Sequence, residues 1–318
     1  MRRGTTDYAI RWVVIAVFAL LAIIGLKLLG VSLDRPSTIS VTRVLGEFFL
    51  LVPLFMMLAW RAPKYAHLTA TPIDLVHSIV QLAAVVQVFL PISYIAADLS
   101  RHFPLMDDRL AGWDAFLFGS ARTALAHWVD ARPAVAWTLA KVYSSTGAQA
   151  VILLIIGSFL RPHDRNSELI WLAIAVVTFT AAISIFTPAL GGTGYIGTSH
   201  IDILRHIRAG AWKTFSYDHT EGLVTFPSFH TTLALIFIYV ATRTNRWALL
   251  VFGPLNAVML ISISPVGGHY LVDMLGGAAV AVASIASVLL LRLEESAFCE
   301  PIEASSLEAR RPWPVRSK

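Results

Sequence analysis

Long apolar runs, which recur from about residue 12 to about residue 291, most strongly limit what this chain can fold into. A helix needs about 20 predominantly apolar residues to cross the hydrocarbon core of a bilayer, and only helices and closed barrels satisfy their backbone polar groups there. Apolar residues make up 56% of the sequence and charged residues only 14%, a composition that excludes an ordinary soluble domain. The sequence therefore predicts an all-α polytopic bundle of transmembrane helices.

The runs divide the chain into about eight predicted spans and three regions. The spans lie at about 12–31, 45–60, 73–97, 134–160, 169–187, 228–241, 247–263 and 269–291. We expect residues 1–68 to form an N-terminal membrane-anchoring pair of helices and residues 69–293 to form the main transmembrane domain. Residues 294–318 are polar and carry clustered basic residues, so we expect a disordered tail or a segment that binds lipid surfaces.

Basic residues predict which side of the membrane each loop faces. With about eight spans, both termini lie on one side. The very short loops of that side carry Arg61, Lys64, Arg161, Arg165, Arg243 and Arg246. An excess of Lys and Arg in short loops marks the cytoplasmic side. The spans that carry His230 and His269 then begin at the outer face of a cell membrane, which is the inner membrane in a Gram-negative cell.

Two short stretches, residues 226–230 and 268–273, place ionisable side chains at the mouths of apolar runs. An ionisable group at membrane depth is costly, so it marks a functional site by default. His269 and Asp273 are four residues apart and would share one face of a helix. A carboxylate that accepts a hydrogen bond from one imidazole nitrogen fixes the tautomer and leaves the other nitrogen basic. Together with His230, these two are the candidate catalytic residues.

The residues around these histidines suit an anionic ligand. Gly267 and Gly268 remove side chains where a substrate would approach the backbone. Pro227 suits the first turn of a helix, and the backbone N–H groups near Ser228 and Phe229 would then form an anion site at the helix N-terminus. These features predict phosphoryl chemistry, with Ser228, Phe229 and Gly268 as phosphate-binding positions.

The two stretches resemble motifs of a known family. Residues 227–230, Pro-Ser-Phe-His, resemble the second motif of the type 2 phosphatidic acid phosphatase (PAP2) superfamily, and Ser262, His269 and Asp273 are similar to its third motif. The chain resembles most closely the branch that includes inositol phosphorylceramide synthases and many bacterial membrane proteins. The resemblance implies that His269 is the nucleophile, that Asp273 orients it and that His230 protonates the leaving group.

The resemblance covers residues 107–277 and implies a six-helix core preceded by two N-terminal helices. The sequence also departs from the family pattern. Phe229 replaces the usual glycine of motif two, Ile263 replaces the arginine of motif three, and a Lys-x6-Arg-Pro first motif is missing. A phosphate site without that arginine has to recruit another cation. We expect Arg208, in an Arg-Ala-Gly stretch that resembles the same branch, to supply it, with Lys213 and Arg205 as the alternatives.

Residues 98–133 differ from the apolar runs because acidic and arginine side chains alternate there with large apolar ones. The apolar positions recur at helical spacing, which predicts an amphipathic helix lying in the membrane interface. Such a helix serves either as a lid or packing helix with a solvated charged face, or as part of the substrate-binding wall.

Residues 188–225 form the longest polar connection in the second half of the chain. The connection opens with the glycine-rich residues 191–194, but no Lys-Ser/Thr follows, so a nucleotide-binding P-loop is not predicted. We interpret residues 191–194 as a flexible turn, and we interpret the histidines of the connection, His200, His206 and His219, as surface residues.

Three functional hypotheses are compatible with these residues. The first, which the paired motifs favour, is a membrane lipid phosphatase or phosphotransferase without a metal or cofactor; its partners are membrane lipids and a lipid phosphate, not nucleic acid. Its phosphohistidine intermediate would pass to water or to an alcohol. The second is a hydrolase that depends on a divalent metal held by His230, His269 and Asp273. The third is a binding or transport protein of the same fold that has lost catalysis, as Phe229 and Ile263 would indicate.

Overall fold

The structure, a computed structural model, describes residues 2–34, 66–160, 162–192, 194–195, 197–217 and 221–308. These residues form eleven α-helices, one 3₁₀ turn and two short strands. In chain order the elements are α1 (Arg2–Leu28), β1 (Ser32–Leu33), α2 (Ala66–Leu99), the 3₁₀ turn (Ser100–His102), α3 (Asp107–Phe118), α4 (Ala121–Asp130), α5 (Pro133–Tyr143), α6 (Thr146–Leu160), α7 (Pro162–Phe186), α8 (Ser199–Arg208), β2 (Thr214–Phe215), α9 (Phe229–Thr244), α10 (Arg246–Gly267) and α11 (Leu271–Glu308).

Among the described residues, five helical segments are long and apolar enough to cross a membrane: Asp7–Leu28, Asp74–His102, Arg165–Phe186, Arg246–Gly267 and Leu271–Arg292. A sixth span results if α5 and α6, which are bent by 50° at their junction, are taken together. The prediction of an all-α polytopic fold is therefore confirmed. α9, with 16 residues, is shorter than a full span, and the predicted span at 45–60 lies outside the described residues. α11 continues to Glu308, past residue 294, where the sequence predicts the start of the polar tail.

α1 and α2 run side by side in the same direction. Near their starts, the Tyr8 hydroxyl donates a hydrogen bond to Asp74 Oδ1 at 2.5 Å, and near their ends Gly25 lies against Ile95. Beyond α1, β1 pairs in parallel with β2. Sequence analysis does not predict this ladder, which ties the N-terminal helix to the polar connection before α9.

The bundle has two distinct ends. Ser167 and Trp171, near the start of α7, donate hydrogen bonds to Asp7 at 2.7 and 2.9 Å, so α1 and α7 start at the same end. The Tyr239 hydroxyl donates to Glu168 at 2.8 Å, which brings the last turns of α9 to this end as well. We call it the N-terminal end. The opposite end, which we call the loop end, holds α3, α4, α8 and the starts of α9 and α11.

The apolar core surrounds α9. Ile236, Phe237 and Ala241 are at most 2% exposed and pack in one cluster with buried residues of α6, α7, α10 and α11. Small side chains let helices approach closely within a membrane protein. Because this packing holds α9 on several sides, it also fixes the position of the first turn of α9 at the loop end.

The predicted interfacial helix consists of two helices, α3 and α4, which are separated at Gly119 with a φ of +57°. α3 directs Leu110 and Asp114 inward, at 0% and 5% exposure, and turns Trp113 and Phe116 outward, at 50% and 86%. The predicted solvated charged face is therefore wrong for Asp114, which lies on the buried side of α3. A carboxylate buried against the bundle needs hydrogen-bond partners there.

Candidate active site

His269 lies in a three-residue link between α10 and α11. α10 ends at Gly267, and Gly268 adopts the left-handed conformation with a φ of +71°. α11 begins at Leu271, so the helix starts two residues after His269. The prediction that His269 and Asp273 meet on one face of a helix is therefore wrong in its geometry, because the chain turns between them.

The contact between His269 and Asp273 is nevertheless made. Asp273, in the first turn of α11, brings Oδ2 to 3.2 Å from His269 Nδ1, and the same oxygen accepts the Tyr270 N–H at 2.9 Å. Both side chains are buried, at 5% exposure for His269 and 0% for Asp273. A proton on Nδ1 that is shared with this carboxylate fixes the imidazole tautomer and leaves the lone pair on Nε2.

His230 lies in the first turn of α9, close to the same link. Its ring stacks on Tyr143 of α5, with 3.8 Å between ring centroids and an interplanar angle of 21°. The same tyrosine borders the link, because a Cβ on Gly267 would lie 2.6 Å from the Tyr143 hydroxyl oxygen. The structure thus brings His230, His269 and Asp273 together from α9, the link and α11.

Ser228 caps α9 and ties it to α11. Its Oγ accepts the Thr231 N–H at 3.3 Å, and its own N–H donates to the Asp273 carbonyl at 3.1 Å. Pro227 therefore precedes the cap, and the prediction that it occupies the first helical turn is wrong. The cap joins the two stretches that sequence analysis singled out, since one contains Ser228 and the other Asp273.

The first turn of α9 keeps two open backbone donors. The first four N–H groups of a helix have no partner within the helix, and those of Ser228 and Thr231 are engaged by the cap. Among the described residues, the N–H groups of Phe229 and His230 stay available for an anion. The Phe229 ring stacks on Phe89 of α2 at 5.0 Å between centroids, which takes its bulk toward α2.

The N-terminus of α11, by contrast, is closed by a carboxylate that sequence analysis did not assign to the site. Asp114 of α3 accepts the Leu271 N–H at 3.1 Å and the Val272 N–H at 2.8 Å. A negative charge is stabilising at a helix N-terminus, because the helix dipole is positive there. Of the two helix starts at the site, α9 therefore has open donors and α11 does not.

Asp107, a second carboxylate of α3, holds the glycine-rich segment. It accepts the N–H groups of Leu190 and Gly191 at 3.0 and 2.9 Å and the Tyr270 hydroxyl at 3.3 Å. Burial and the charge of Asp107 raise the pKa of Tyr270 to about 12, so this phenol stays protonated and acts as a donor. Asp107 and Asp114 are seven residues apart, a spacing that places both on one helix face and that could have identified the pair from the sequence.

The glycines near the link accommodate the backbone of the protein itself. A Cβ on Gly268 would lie 2.1 Å from the Gly192 carbonyl oxygen, and one on Gly194 would lie 2.1 Å from the Val266 carbonyl oxygen. The Gly192 N–H also donates to the Gly268 carbonyl at 2.6 Å. Gly191, Gly192 and Gly194, which we call the covering glycines, are thus docked on the link and do not form the predicted flexible turn. The space that the sequence predicted for a substrate at Gly268 is filled by Gly192, and a phosphate-binding role of Gly268 stays a prediction.

A model of the PAP2 superfamily matches residues 108–287, more than half of the 318 residues of the chain. The chain belongs to the PAP2 superfamily. The resemblance inferred from the two motifs is thereby confirmed, and the protein is a phosphatase-like membrane protein at the level of the superfamily. Neither curated proteins nor solved structures gave a significant match. The matched residues include His230, His269 and Asp273.

The position of the PAP2 motif-three arginine is an apolar contact in this chain. Ile263 is 0% exposed and packs in one cluster with Leu125 and Val129 of α4 and Tyr143 of α5. Ser262, the preceding motif residue, donates its hydroxyl to the Met259 carbonyl within α10 at 2.6 Å.

Arg208 and Lys213, the predicted substitutes for the PAP2 arginine, make structural contacts. Arg208 of α8 donates from Nη1 to the Ser100 carbonyl and from Nη2 to the Phe103 carbonyl, each at 2.8 Å. Burial lowers the pKa of Arg208. Lys213 is exposed, and its carbonyl accepts the Ser32 N–H at 3.0 Å beside the β1–β2 ladder. A phosphate-binding role for either residue stays a prediction.

A third imidazole stands near the PAP2 histidines. His200 of α8 is half-buried, and both burial and the charge of His269 lower its pKa. The interpretation of His200 as a surface residue stays a prediction, His206 on the same helix is exposed, and His219 lies outside the described residues. A depressed pKa keeps His200 neutral at neutral pH.

His230, His269 and Asp273 were also predicted as ligands of a divalent metal in the second hypothesis. In the part of the chain that the structure describes, no three His, Cys, Asp or Glu side chains converge on a point where they could hold a metal ion. Nδ1 of His269 is engaged by Asp273 as a hydrogen-bond partner, so Nε2 is the one imidazole nitrogen of His269 that is not engaged by Asp273.

Proposed function

We propose that this protein is a PAP2-type lipid phosphatase or phosphotransferase that works through a phosphohistidine on His269. The hydrogen bond between His269 Nδ1 and Asp273 Oδ2 carries the proposal, because it leaves Nε2 to attack phosphorus. His230, which stacks on Tyr143 beside the link that carries His269, supplies the proton for the leaving group.

The proposed reaction consists of two displacements at phosphorus. In the first, the Nε2 lone pair of His269 forms a bond to phosphorus, the bond to the leaving oxygen breaks, and His230 donates its proton to that oxygen. In the second, neutral His230 takes a proton from water or an alcohol, whose oxygen attacks phosphorus, and the bond between nitrogen and phosphorus breaks. The negative charge of a bound phosphate favours the protonated form of His230 before the first step.

Open backbone donors support the proposed phosphoryl transfer. The transition state spreads negative charge over three equatorial oxygens, and fixed donors aimed at these oxygens need no reorganisation during the reaction. The N–H groups of Phe229 and His230 serve this purpose, and the N-terminus of α9 adds its partial positive charge. Asp114 occupies the competing N-terminus of α11, which favours binding of the phosphate at α9.

The lipid substrate approaches the proposed site from the membrane interface at the outer face of the cell membrane. α3 carries Asp114 on its inner side and turns Trp113, Phe116 and Leu117 away from the bundle, at 50%, 86% and 53% exposure. Aromatic and leucine side chains are those that interfacial helices bury at the headgroup boundary. The excess of basic residues in the short loops supports an N-terminal end that faces the cytoplasm and a loop end that faces outward.

The direct test of the proposed function is phosphate release by the purified protein in detergent. Phosphatidate, lysophosphatidate, polyprenyl diphosphate and lipid A serve as substrates, with EDTA added in a parallel series. We expect turnover of at least one lipid, no loss with EDTA, and loss of turnover in His269→Ala but not in His206→Ala, an exposed histidine of α8. Full activity of His269→Ala would contradict the proposal, as would a parent protein that neither releases phosphate from these lipids nor transfers it to an added alcohol. Inhibition by EDTA that one divalent ion reverses would support the metal-dependent hydrolase instead.

Sidedness is tested with single cysteines in a Cys299→Ser background. Ser199→Cys at the loop end and Arg246→Cys at the N-terminal end replace exposed residues. An impermeant thiol reagent added to intact cells should modify Ser199→Cys and spare Arg246→Cys until the cells are opened. The reverse pattern would overturn the outward-facing site.

A further inference from the structure

Arg122, the second residue of α4, is a basic side chain at the site that the proposed reaction leaves unused. Its Nε lies 3.4 Å from Asp114 Oδ2, and its guanidinium carbon lies 5.0 Å from the centre of the Tyr270 ring. The Arg122 side chain is 38% exposed. Arg122 is thus held by an ion pair and a cation–π contact, while part of it still faces the solvent.

Asp114 couples Arg122 to the link that carries His269. The carboxylate that contacts Arg122 also accepts the first N–H groups of α11. Tyr270, beneath the guanidinium, directly follows His269 in the chain. A shift of Arg122 relative to the link would break one of these contacts, so one assembly positions both the guanidinium and the imidazole.

The far edge of the Arg122 guanidinium lies beside the covering glycines. A Cβ on Gly192 would lie 3.2 Å from Arg122 Nη1, and Gly192 is itself hydrogen-bonded to Gly268, the residue before His269. Within the described part of the chain, Nη1 and Nη2 of Arg122 make no hydrogen bond. An arginine engaged only through Nε still presents the two-pronged edge that matches a phosphate.

The packing of Ile263 connects the missing PAP2 arginine with α4. Ile263 contacts the cluster that contains Leu125 and Val129, both on the helix that carries Arg122. Leu125 follows Arg122 by one helical turn, so α4 brings a cation next to the place where the motif has lost one. Arg208, in contrast, already donates to two backbone carbonyls.

We propose that Arg122 binds the equatorial oxygens of the transferring phosphoryl group and supplies the positive charge that Ile263 cannot. This inference rests on the proposed function, since it requires a phosphoryl group at His269. Asp114 and Tyr270 act as positioning residues, which orient the guanidinium without contacting the substrate. A guanidinium that contacts the negatively charged equatorial oxygens stabilises the transition state more than the ground state.

Orthovanadate binding tests Arg122 before the lipid is identified, because vanadate adopts the trigonal-bipyramidal geometry of a phosphoryl group in transfer. Calorimetric titration of the full-length protein in detergent compares the parent with Arg122→Gln, Arg122→Lys and Arg109→Ala, an exposed arginine of α3. Glutamine keeps a donor for Asp114 and removes the charge. We expect binding about 10²-fold weaker in Arg122→Gln, partial recovery in Arg122→Lys and no change in Arg109→Ala.

Steady-state kinetics separates a catalytic role of Arg122 from a structural one. With a lipid that the parent hydrolyses, kcat of Arg122→Gln should fall about 10²-fold with little change in KM, and added guanidinium ions should restore part of it. Parent-like kcat and vanadate affinity in Arg122→Gln would overturn the role of Arg122 and leave the His269 mechanism intact. If Arg122→Gln does not elute as a folded protein, the test is made with Arg122→Lys. Parent-like kcat and vanadate affinity in Arg122→Lys would overturn the proposed two-pronged contact between the guanidinium and the phosphoryl group. A parent that neither binds vanadate nor releases phosphate would contradict the proposed function itself.

Discussion

Glu168 at the N-terminal end and the carboxylates around His269 at the loop end are held by different partners. At the N-terminal end, Glu168 is 2% exposed and is paired with Arg165 at 3.3 Å and with Arg292 at 3.6 Å. It also accepts the Tyr239 hydroxyl at 2.8 Å. The negative charge of Glu168 is therefore compensated by two arginine side chains.

At the loop end, the three carboxylates around His269 are held mainly by backbone donors, whereas buried Asp98 at the end of α2 pairs with Arg101 at 3.6 Å. Asp107 and Asp114 each accept two backbone N–H groups, and Asp273 accepts one together with the His269 imidazole. The only arginine paired with Asp114 in the described part of the chain is Arg122, through Nε.

This difference indicates what each end is for. A carboxylate that is fully paired with arginines forms a closed structural contact, because no donor or charge is left over for a ligand. A carboxylate that is already held by backbone N–H groups can position an imidazole or an arginine through a single contact. The remaining donors of that imidazole or arginine then stay available for an anion. We therefore expect the N-terminal end to contribute stability and the loop end to carry the proposed chemistry, and three variants test this expectation.

Asp273→Asn should have the largest effect on turnover. An asparagine amide can donate to His269 Nδ1, which moves the imidazole proton to Nε2 and removes the nucleophilic lone pair. A tautomer change of this kind lowers kcat by about 10⁴-fold in enzymes with an Asp–His pair. Phosphate release is measured beside Asp202→Asn, which changes a carboxylate of α8 that is 73% exposed. Turnover of Asp273→Asn within tenfold of the parent would show that Asp273 does not set the tautomer.

Gly194→Ala should have an intermediate effect. The added Cβ would lie 2.1 Å from the Val266 carbonyl oxygen, so the covering glycines and the link must move apart. A displacement of about 1 Å at a reacting group costs about 10²-fold in rate. Gly112→Ala on α3 is the matched control, because a Cβ there meets nothing within 4 Å. Equal kcat values for the two variants would show that docking of the covering glycines does not position His269.

Glu168→Gln should have the smallest effect on turnover and act on stability instead. Glutamine keeps an acceptor for Tyr239 but loses both ion pairs, and a hydrogen bond to a charged group contributes about 1.5–3 kcal/mol. We expect the free energy of unfolding, measured by denaturant titration in detergent, to fall by about that amount while kcat stays at the parent value. A drop in kcat comparable to that of Asp273→Asn would erase the functional difference between the two ends.

The parts of the site that sequence analysis predicted are local in the chain. His269 and Asp273 are close enough in sequence to meet in a helix or in a capped turn, so their contact did not depend on which geometry occurs. Asp114 and Leu271 are 157 residues apart, and Arg208 and Ser100 are 108 residues apart. Contacts over such separations depend on which helices pack together, and periodicity does not determine that. This is why Asp107, Asp114 and Arg122 were not assigned to the site.

α3 shows a second reason why the structure differs from what the sequence predicts. In a soluble protein, the charged face of an amphipathic helix points to solvent and the apolar face points inward. At a membrane surface, the surroundings of the bundle are themselves apolar, so Trp113 and Phe116 turn outward, and Asp114 finds its donors inside. The helical spacing was enough to predict the element, but the side that faces the protein depends on the solvent that surrounds it.

The proposed function requires a phosphoryl group carried covalently by His269, and trapping that group is the most direct test. His230→Ala lacks the proton donor and base, so the phosphoenzyme formed from a radiolabelled lipid with a good leaving group should accumulate. We predict that the label is labile in acid and stable in alkali, as a phosphohistidine is, that it maps to His269, and that it is lost in the His230→Ala/His269→Ala variant. Label on another residue, an alkali-labile acyl phosphate on Asp273, or turnover in the parent without any labelled protein in His230→Ala would contradict the account.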